Sequence, residues 1–244
     1  MISNDYNFAV VIPMANESKD FDIFISNLKK SLNFIGSGTV YLIVDKVSKD
    51  NTLELCEQLS SGDSRFKTIW APENKNVVDA YIRGYREAEP YHDFIIEMDA
   101  GMSHDPSALP MFLRVLNEGN ECAFGSRFIN GGSIWQSTFK RSFLSKSGTF
   151  LSNILLGTKM KDMTSGFQGF QVPVVRNLLK YNLLSKGHFY QTEVRYLMRR
   201  YRYMEVPIHY RAPSPGVSKK AVINSLSVLF YYFRQRITFR SKSL

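Results

Sequence analysis

Short apolar runs alternate with amphipathic stretches along the first half of this chain of 244 residues. Four of the runs predict buried strands, at 8–12, 40–44, 66–71 and 94–98, and Pro13 is expected to end the first strand. Between the runs, apolar residues recur at helical spacing, which predicts helices over 18–35, 51–60, 76–88 and about 106–117. Apolar strands separated by helices are typical of an α/β fold with a mostly parallel sheet that is covered on both faces.

The second half of the chain has a less regular pattern. We predict a strand over 121–126, a helix over 142–156, a loop over 162–167 followed by a strand, a short helix near 174–181, a helix over 190–201, a strand over 203–210 and a last helix over about 220–236. The segment Pro213-Ser214-Pro215-Gly216 interrupts the chain before the last helix. We therefore predict one domain over 1–212, followed by a Pro/Gly loop and a basic amphipathic helix over 213–244.

The composition is that of an ordinary globular protein, with 44% hydrophobic and 22% charged residues. Cys56 and Cys122 lie within apolar-periodic segments and are expected to be buried free thiols, as suits a reducing cytoplasm. The first six residues lack a basic segment of the kind that opens a secretory signal. A run of about 20 apolar residues is also missing, so we expect a cytoplasmic protein without a spanning helix.

The excess positive charge is concentrated in the last fifth of the chain. Residues 195–244 contain eleven Lys or Arg and one acid, whereas the preceding part carries twenty basic and twenty-one acidic side chains. In the predicted last helix, an apolar side precedes a basic cluster, with apolar residues Val222, Leu226, Leu229, Phe230 and Phe233. This pattern fits peripheral contact of 220–244 with the cytoplasmic face of a membrane, packing on the protein's own domain, or a homo-oligomer contact. Nucleic-acid binding is disfavoured, because the aromatic residues are contiguous.

Acidic side chains follow two of the first four predicted strands. The segments after the first, second and fourth strands are 13–17, 45–48 and 99–101, and the second and third of these open with Asp45 and Asp99. Ligands of open α/β sheets gather at the carboxyl ends of strands. Carboxylates there accept hydrogen bonds from ribose hydroxyls and base N–H groups, so Glu17 and Asp45 suit nucleotide recognition.

Eight short motifs stand in the order found in glycosyltransferase family 2. They are Pro13-Met14-Ala15-Asn16-Glu17, the segment from Val44 to Thr52, the segment from Met98 to Pro106, Gly125-Ser126-Arg127, the segment from Asp162 to Phe167, the segment from Gly187 to Glu193, Glu205-Val206-Pro207-Ile208, and Gly216-Val217-Ser218-Lys219. Together they are spread over the chain between residues 8 and 219. The sequence resembles the polyprenyl-phosphate sugar synthases of this family, of which dolichyl-phosphate mannose synthase is one.

The resemblance implies a GT-A type, Rossmann-like fold and an inverting transfer of sugar from a nucleotide-sugar donor. It implies a polyprenyl phosphate as acceptor; a glycan or other hydroxyl acceptor, or a non-catalytic nucleotide-sugar-binding relative, remain alternatives. The residues that match the donor-binding positions are Pro13, Ala15, Glu17, Val44, Asp45, Lys46, Asp99, Ala100, Arg211 and Lys219.

The resemblance also implies a divalent metal, Mg²⁺ or Mn²⁺, at the Asp-x-Asp element of the family. Asp99 matches the first acid and Gln191 matches a glutamine near the diphosphate, so both are expected at the metal. The second acid is replaced by Gly101, and a further acid of the family by Lys46. These departures predict an altered donor or metal site.

The remaining candidates concern the reaction itself. Arg127, with Arg211 and Lys219 near a Pro/Gly loop that closes as a lid, is expected to hold the leaving diphosphate. A hydroxyl acceptor needs a general base, for which Glu193 is the first candidate and Asp162 the second. A phosphate acceptor is already an anion and needs none.

Overall fold

A seven-stranded sheet lies at the centre of the protein. The computed structural model describes residues 7–101, 103–135, 139–187, 189–211, 219–240 and 243–244. The strands are β1 (Phe8–Met14), β2 (Gly38–Val44), β3 (Phe66–Trp70), β4 (Phe94–Glu97), β5 (Cys122–Ser126), β6 (Ser133–Trp135), β7 (Gln168–Gln171), β8 (Tyr203–Pro207) and β9 (His209–Arg211). The main sheet has the order β3-β2-β1-β4-β7-β5-β8, and β6 pairs with β9 in a separate ribbon. Only β7 runs antiparallel to its neighbours in the main sheet, so the predicted mostly parallel sheet is confirmed.

Helices cover both faces of this sheet, as predicted. They are α1 (Phe21–Ile35), α2 (Thr52–Gly62), α3 (Val77–Ala88), α4 (Leu109–Asn117), α5 (Phe139–Leu156), α6 (Val172–Leu179), α7 (Tyr190–Leu197) and α8 (Lys219–Ile237), with a 3-10 turn at Pro106–Ala108. Alternate residues of β1 enter two different cores: Ala9 and Val11 pack with α3 and α6, whereas Val10 and Ile12 pack with α1 and α4. Both predicted cysteine thiols are free and buried.

The direction of the strands decides where the functional loops meet. β1, β2, β4, β5 and β8 all end at the same edge of the sheet, which we call the rim. Because β7 is antiparallel, it begins at this edge, and the loop over 162–167 that precedes it opens there too. The rim therefore collects segments from 13–17 to 162–167 in one place.

Several predicted boundaries were wrong, among them the end of β1 and the end of α7. β1 continues through Pro13 to Met14, in a part of the strand that pairs with β2 but extends beyond its pairing with β4. With a partner on one side only, the missing N–H of a proline is tolerated in a strand. The helix predicted over 190–201 ends at Leu197, after which Tyr201 N donates to Met198 O in a turn.

The single strand predicted over 203–210 is in fact two strands. β8 ends at Pro207, and β9 leaves the main sheet to pair with β6, whose three residues had no strand signal in the sequence. Ile208 N, between them, still donates to Ser126 O. The chain turns away here because β9 finds its partner outside the main sheet.

The last helix packs on the rest of the protein with one side only. Val228, Leu229 and Tyr232 of α8 are buried, and Tyr232 Oη donates to Glu193 of α7 at 2.7 Å. A second apolar side, with Val222, Leu226 and Phe230, stays exposed. The predicted boundary between 212 and 213 falls outside the described residues.

Candidate active site

Side-chain hydrogen bonds join the loop after β1 to the loop after β2. Asn16 N donates to Ser48 Oγ at 3.1 Å, and Lys49 N donates back to Asn16 Oδ1 at 2.8 Å. Glu17 N donates to Thr52 Oγ1 at 2.8 Å. Asn16 has a φ of 59°, a left-handed conformation that asparagine tolerates better than most residues. These bonds hold Glu17 beside the end of β2, where Asp45 follows Val44.

Asp45 is buried at the end of β2 and is partly available to a ligand. Its Oδ1 accepts the Val47 N–H at 2.8 Å, and the described residues provide no donor to Oδ2. Lys46, next to it, is exposed. The other predicted donor-binding residues in this region are Pro13, Ala15, Val44 and Ala100. They lie at or just after the ends of β1, β2 and β4, at the rim.

Glu17 lies against Gly101, the residue at the family's second acid position. Gly101 has a φ of 71°, and a β-carbon built on it would lie 2.9 Å from Glu17 Oε2. Burial, with the negative charges of Asp20, Asp99 and Asp50, raises the pKa of Glu17 to about 7. The Glu17 carboxylate thus belongs to the same cluster as Asp99.

Asp99 is held from two sides and keeps an open face. Tyr81 Oη donates to its Oδ1 at 2.7 Å, and its backbone N–H donates to His104 Nδ1 at 3.0 Å. About 40% of the Asp99 side chain is exposed, so a ligand can reach it. Burial lowers the pKa of His104, which keeps the imidazole neutral and able to accept at Nδ1.

The backbone of Gly166 lies against both Asp99 and Gln191. A β-carbon on Gly166 would lie 2.9 Å from Gln191 Nε2 and 3.4 Å from Asp99 Oδ2. Gln191 Oε1 is buried and has no hydrogen-bond partner among the described residues. The antiparallel β7 thus brings the loop over 162–167 and the start of α7 to the acids of the rim.

A buried network behind Asp99 supports it. Glu97 is fully buried at the end of β4 and accepts hydrogen bonds from Tyr85, from Tyr190 at 2.9 Å and from Gln168. The Tyr81 ring stacks on Tyr190 with centroids 5.5 Å apart. Burial raises the pKa of Glu97 to about 7, although its three donors oppose the shift.

Arg127 and Asp162, both predicted as catalytic, form a buried ion pair with each other. Arg127 Nε donates to Asp162 Oδ2 at 2.7 Å and Nη2 donates to Oδ1 at 2.8 Å, the two-point geometry of a strong pair. Arg127 Nη2 also donates to Thr164 Oγ1 at 2.6 Å. Burial alone raises the pKa of Asp162, but the hydrogen bond and charge of Arg127 outweigh it and hold that pKa below its usual value.

Arg195 completes this cluster and was missed from the sequence. It is fully buried on α7 and donates to the backbone oxygens of Asp162, Gly125 and Ser165. Burial lowers its pKa to about 10, so it stays charged at neutral pH. In the sequence, the one signal for Arg195 was its position in a predicted helix. The structure shows that all residues of this helix are buried.

Glu193 is a buried anchor in this structure. Its carboxylate accepts from Leu184 N at 2.9 Å, Ser185 N at 2.8 Å and Tyr232 Oη at 2.7 Å. These bonds connect α7 to the segment before it and to α8. Both oxygens of the Glu193 carboxylate thus accept hydrogen bonds from other residues of the chain.

The other predicted cations are less closely tied to the acids. Arg211 is exposed on β9 beside a cavity of about 420 Å³, which Trp135 and His104 also line. Lys219 begins α8, and its side chain is outside the described part of the structure. The predicted lid also lies outside it, so convergence of these cations at a lid stays a prediction.

Comparison with known proteins identifies the family to which this chain belongs. The family model for glycosyl transferase family 2 matches residues 9–179. The chain belongs to glycosyl transferase family 2. It is therefore a glycosyltransferase with a GT-A fold, and the resemblance seen in its motifs is confirmed.

Two curated relatives in this family are named for mannose transfer. Polyprenol monophosphomannose synthase of Mycolicibacterium smegmatis is 27% identical over 225 residues, which is 91% of this chain and 83% of the relative. Dolichol-phosphate mannosyltransferase of Pyrococcus furiosus is 31% identical over 172 residues. That match covers 70% of this chain but 47% of the archaeal protein.

Solved structures of another sugar transferase share the fold. Glucosyl-3-phosphoglycerate synthase of Mycobacterium tuberculosis, in complex with Mn²⁺, UDP and phosphoglyceric acid, superposes with a TM-score of 0.69 at 14% identity. The match covers 94% of this chain and 79% of that one. The same enzyme with Mn²⁺, UDP-glucose and phosphoglyceric acid superposes with a TM-score of 0.68, also at 14% identity, over 94% of this chain and 80% of that one.

The residues at the rim fit a divalent cation that is shared with a substrate. Within the described residues, no three His, Cys, Asp or Glu side chains form a complete metal cage. Mg²⁺ is commonly held by one or two carboxylates together with substrate phosphates, so a complete cage is not needed. The open carboxylate of Asp99 and the unpartnered amide oxygen of Gln191 supply oxygen atoms of the required kind.

The raised pKa of Glu97 predicts a pH-dependent stability. Below pH 4.5, Glu97 is protonated in both the folded and the unfolded protein. As the pH rises towards about 7, the unfolded chain loses this proton before the folded protein does. Relative to Glu97→Gln, the wild type should lose up to about 3 kcal/mol of unfolding free energy over this range. Urea unfolding at several pH values measures the difference. The exposed Glu57→Gln is the control, and a difference independent of pH would contradict the assignment.

Breaking the buried pair at Arg127 should be costly. Arg127→Met leaves the Asp162 carboxylate buried without its partner, which we expect to lower the unfolding free energy by about 3–5 kcal/mol. Arg127→Met/Asp162→Asn removes the stranded charge and should recover part of this loss. Urea unfolding of both variants at pH 7 tests the expectation; equal destabilisation would show that the ion pair is not the cause.

Proposed function

We propose that this chain transfers a sugar, with inversion, from a nucleotide sugar to a polyprenyl phosphate at a membrane surface. The proposal is carried by the meeting of Glu17, Asp45 and Asp99 at one rim, where Arg127 at the end of β5 and its partner Asp162 also lie. This arrangement has an acidic side that suits a nucleoside and a metal, and a cationic side that suits phosphate. Both curated relatives are named for transfer of this kind.

The donor binds along the acidic side of the rim. Asp45 Oδ2 and Glu17 accept hydrogen bonds from the nucleoside, while Pro13 and Ala15 form the wall beside it. Asp99 and Gln191 hold a Mg²⁺ or Mn²⁺ ion, which when bound neutralises charge on the diphosphate. Arg127 Nη1, which has no hydrogen bond among the described contacts, donates to a phosphate oxygen.

The reaction is a direct displacement at the anomeric carbon. An acceptor phosphate oxygen forms the new bond to this carbon, and the bond from the carbon to the donor diphosphate breaks. The nucleoside diphosphate leaves with the bonding electrons. Inversion follows because the acceptor attacks from the face opposite the leaving group.

Both candidate bases, Asp162 and Glu193, already accept hydrogen bonds from the protein, which supports a phosphate acceptor. Asp162 is occupied by Arg127 and Thr164, and Glu193 by two backbone N–H groups and Tyr232. Both carboxylates are fully buried. A hydroxyl acceptor has to lose a proton to such a base, whereas a phosphate monoester brings its own negative charge.

A lipid acceptor is supported by an exposed apolar surface on α5 and α8, which pack against each other. Arg236 Nη1 of α8 donates to Ile154 O and Leu155 O of α5. We call this surface the apolar patch; its exposed residues are Phe143, Leu144, Phe150, Leu151, Ile154, Val222, Ile223, Leu226 and Phe230. The exposed basic residues on and beside these helices are Lys146, Lys220, Arg234, Arg236 and Arg240. Apolar side chains bordered by cations suit an anionic membrane surface.

Peripheral binding is the mode of membrane contact that we propose. In the part of the chain that the structure describes, no helix has the length and apolar character to span a bilayer. The apolar patch then lies in the interface and keeps the lipid phosphate near the rim. A cytoplasmic location at the membrane face is part of this proposal.

Acceptor choice tests the proposed function. With GDP- or UDP-linked sugars and Mn²⁺, the purified protein should release nucleoside diphosphate and form a sugar–lipid product with polyprenyl phosphate. The matched alcohol, polyprenol, should give no product above background, because its hydroxyl needs a base. Turnover with polyprenol but not with its phosphate would refute the proposed acceptor, and no turnover with any donor would favour a non-catalytic role.

Glu193→Gln separates the two acceptor classes further. Among folded samples, checked by thermal melting, a phosphate acceptor predicts that kcat changes by less than about tenfold. A base that takes part in proton transfer is typically worth about 10²–10⁴-fold. A loss of that size with unchanged melting would instead identify Glu193 as the general base of a hydroxyl transferase.

Charge placed in the apolar patch should weaken membrane binding. Phe150→Asp/Phe230→Asp should reduce co-sedimentation with liposomes of phosphatidylserine and phosphatidylcholine at low salt by at least about tenfold, because two large apolar side chains no longer insert. Phe34→Asp, an exposed position on α1, is the control. Unchanged liposome binding together with a smaller oligomer in size-exclusion chromatography would make the patch a homo-oligomer contact.

A further inference from the structure

The position of Glu17 suggests how this chain manages without the second acid of its metal element. Gly101 carries no side chain, and its φ of 71° disfavours most other residues. The space into which an acid at this position would extend is already taken, because a β-carbon there would lie 2.9 Å from Glu17 Oε2. A carboxylate oxygen therefore lies beside residue 101 although residue 101 is a glycine.

The Glu17 carboxylate is free to bind a ligand. Its backbone N–H is bonded to Thr52, which fixes the residue, but the described residues provide no hydrogen-bond donor to either carboxylate oxygen. Its Oε2 lies 2.9 Å from the position of a β-carbon on Gly101, two residues after Asp99. Two nearby carboxylates without donors between them are unfavourable unless a cation or a shared proton neutralises them.

A separate observation on the other side of Asp99 points to the same ligand. The Gln191 amide lies beside Asp99 at Gly166, with Nε2 the nearer atom, and its Oε1 is buried without a hydrogen-bond partner among the described residues. Buried amide oxygens without partners are rare, because the loss of their hydrogen bonds to water is uncompensated. With the amide rotated by 180°, so that Oε1 takes the place of Nε2, an oxygen-binding cation beside Asp99 satisfies this oxygen and neutralises the acids together.

We propose that Glu17 supplies the second carboxylate of a Mg²⁺ or Mn²⁺ site with Asp99 and Gln191, in place of the acid that Gly101 lacks. The inference rests on the proposed function, because the cation serves to hold the donor diphosphate. In this assignment Glu17 contributes directly to metal affinity, whereas in a nucleoside-only role it does not.

Mn²⁺ titration of the full-length chain, followed by electron paramagnetic resonance, tests the assignment. The titration uses Mn²⁺ alone and then Mn²⁺ with GDP or UDP. Loss of even an outer-shell partner typically weakens metal binding by about 10–100-fold, so Glu17→Gln should weaken it by at least about tenfold. Asp20→Asn is the matched control, since it removes a neighbouring acid that is not assigned to the metal, and it should bind Mn²⁺ as the wild type does.

A second variant returns the acid to its usual place. In Glu17→Ala/Gly101→Asp, the first substitution removes the carboxylate beside residue 101, and the second supplies one from residue 101 itself. Aspartate tolerates the left-handed backbone of this position better than most residues. This double variant should bind Mn²⁺ more tightly than Glu17→Gln. Thermal melting of each variant shows that the comparison is made between folded proteins.

Three results overturn the inference: a wild type that does not bind Mn²⁺, a Glu17→Gln variant that binds it normally, or a double variant that gains nothing. Nucleotide binding in EDTA provides a further check, because a nucleoside-only contact predicts that Glu17→Gln loses affinity there and leaves Mn²⁺ binding intact. None of these measurements needs an acceptor. A failure to glycosylate polyprenyl phosphate is therefore distinguishable from a failure of the metal assignment.

Discussion

The common direction of the strands is the constraint on which the site depends. Every strand of the main sheet except β7 ends at the rim, and the antiparallel β7 begins there. Residues as distant in sequence as Glu17 and Gln191 therefore approach the same carboxylate, that of Asp99. If β7 ran parallel to its neighbours, the loop over 162–167 would open at the opposite edge, and Arg127 would lack Asp162 as its partner at the rim.

Buried charge makes the two sides of the rim different in character. On one side, Arg127 and Arg195 hold Asp162 and the backbone around it with hydrogen bonds that are shielded from water. Removing one partner from such a cluster leaves a charge in a medium of low dielectric constant, so the loop is held firmly. On the other side, the carboxyl groups of Glu17 and Asp99 lie close together and are partly accessible, so a cationic ligand can reach both.

The site is also connected to the surface helices. Gln191 and Glu193 lie on the same short helix, α7, and Glu193 bonds to Tyr232 of α8. The helix that carries half of the apolar patch is therefore anchored two residues from a proposed metal ligand. In a transferase that acts on a lipid phosphate, this connection keeps the acceptor-facing surface and the donor site in a defined relation.

The sequence by itself determined the fold class, the family and most residues of the rim. Continuous apolar runs such as 40–44 follow from burial on both faces of a parallel sheet, and the motifs around Glu17, Asp45 and Asp99 follow from chemistry at strand ends. These signals are local, so they can be read along the chain.

Only the tertiary structure decided which side chains face one another. The pairing of Arg127 with Asp162, the burial of Arg195 and the engagement of Glu193 join residues up to 70 positions apart, and no local pattern encodes them. The approach of Glu17 to Gly101 is of the same kind. The sequence shows only that residue 101 has no side chain, and the folding of the chain brings the carboxylate of residue 17 beside it. Periodicity reports which face of an element is buried, whereas partner choice depends on long-range packing.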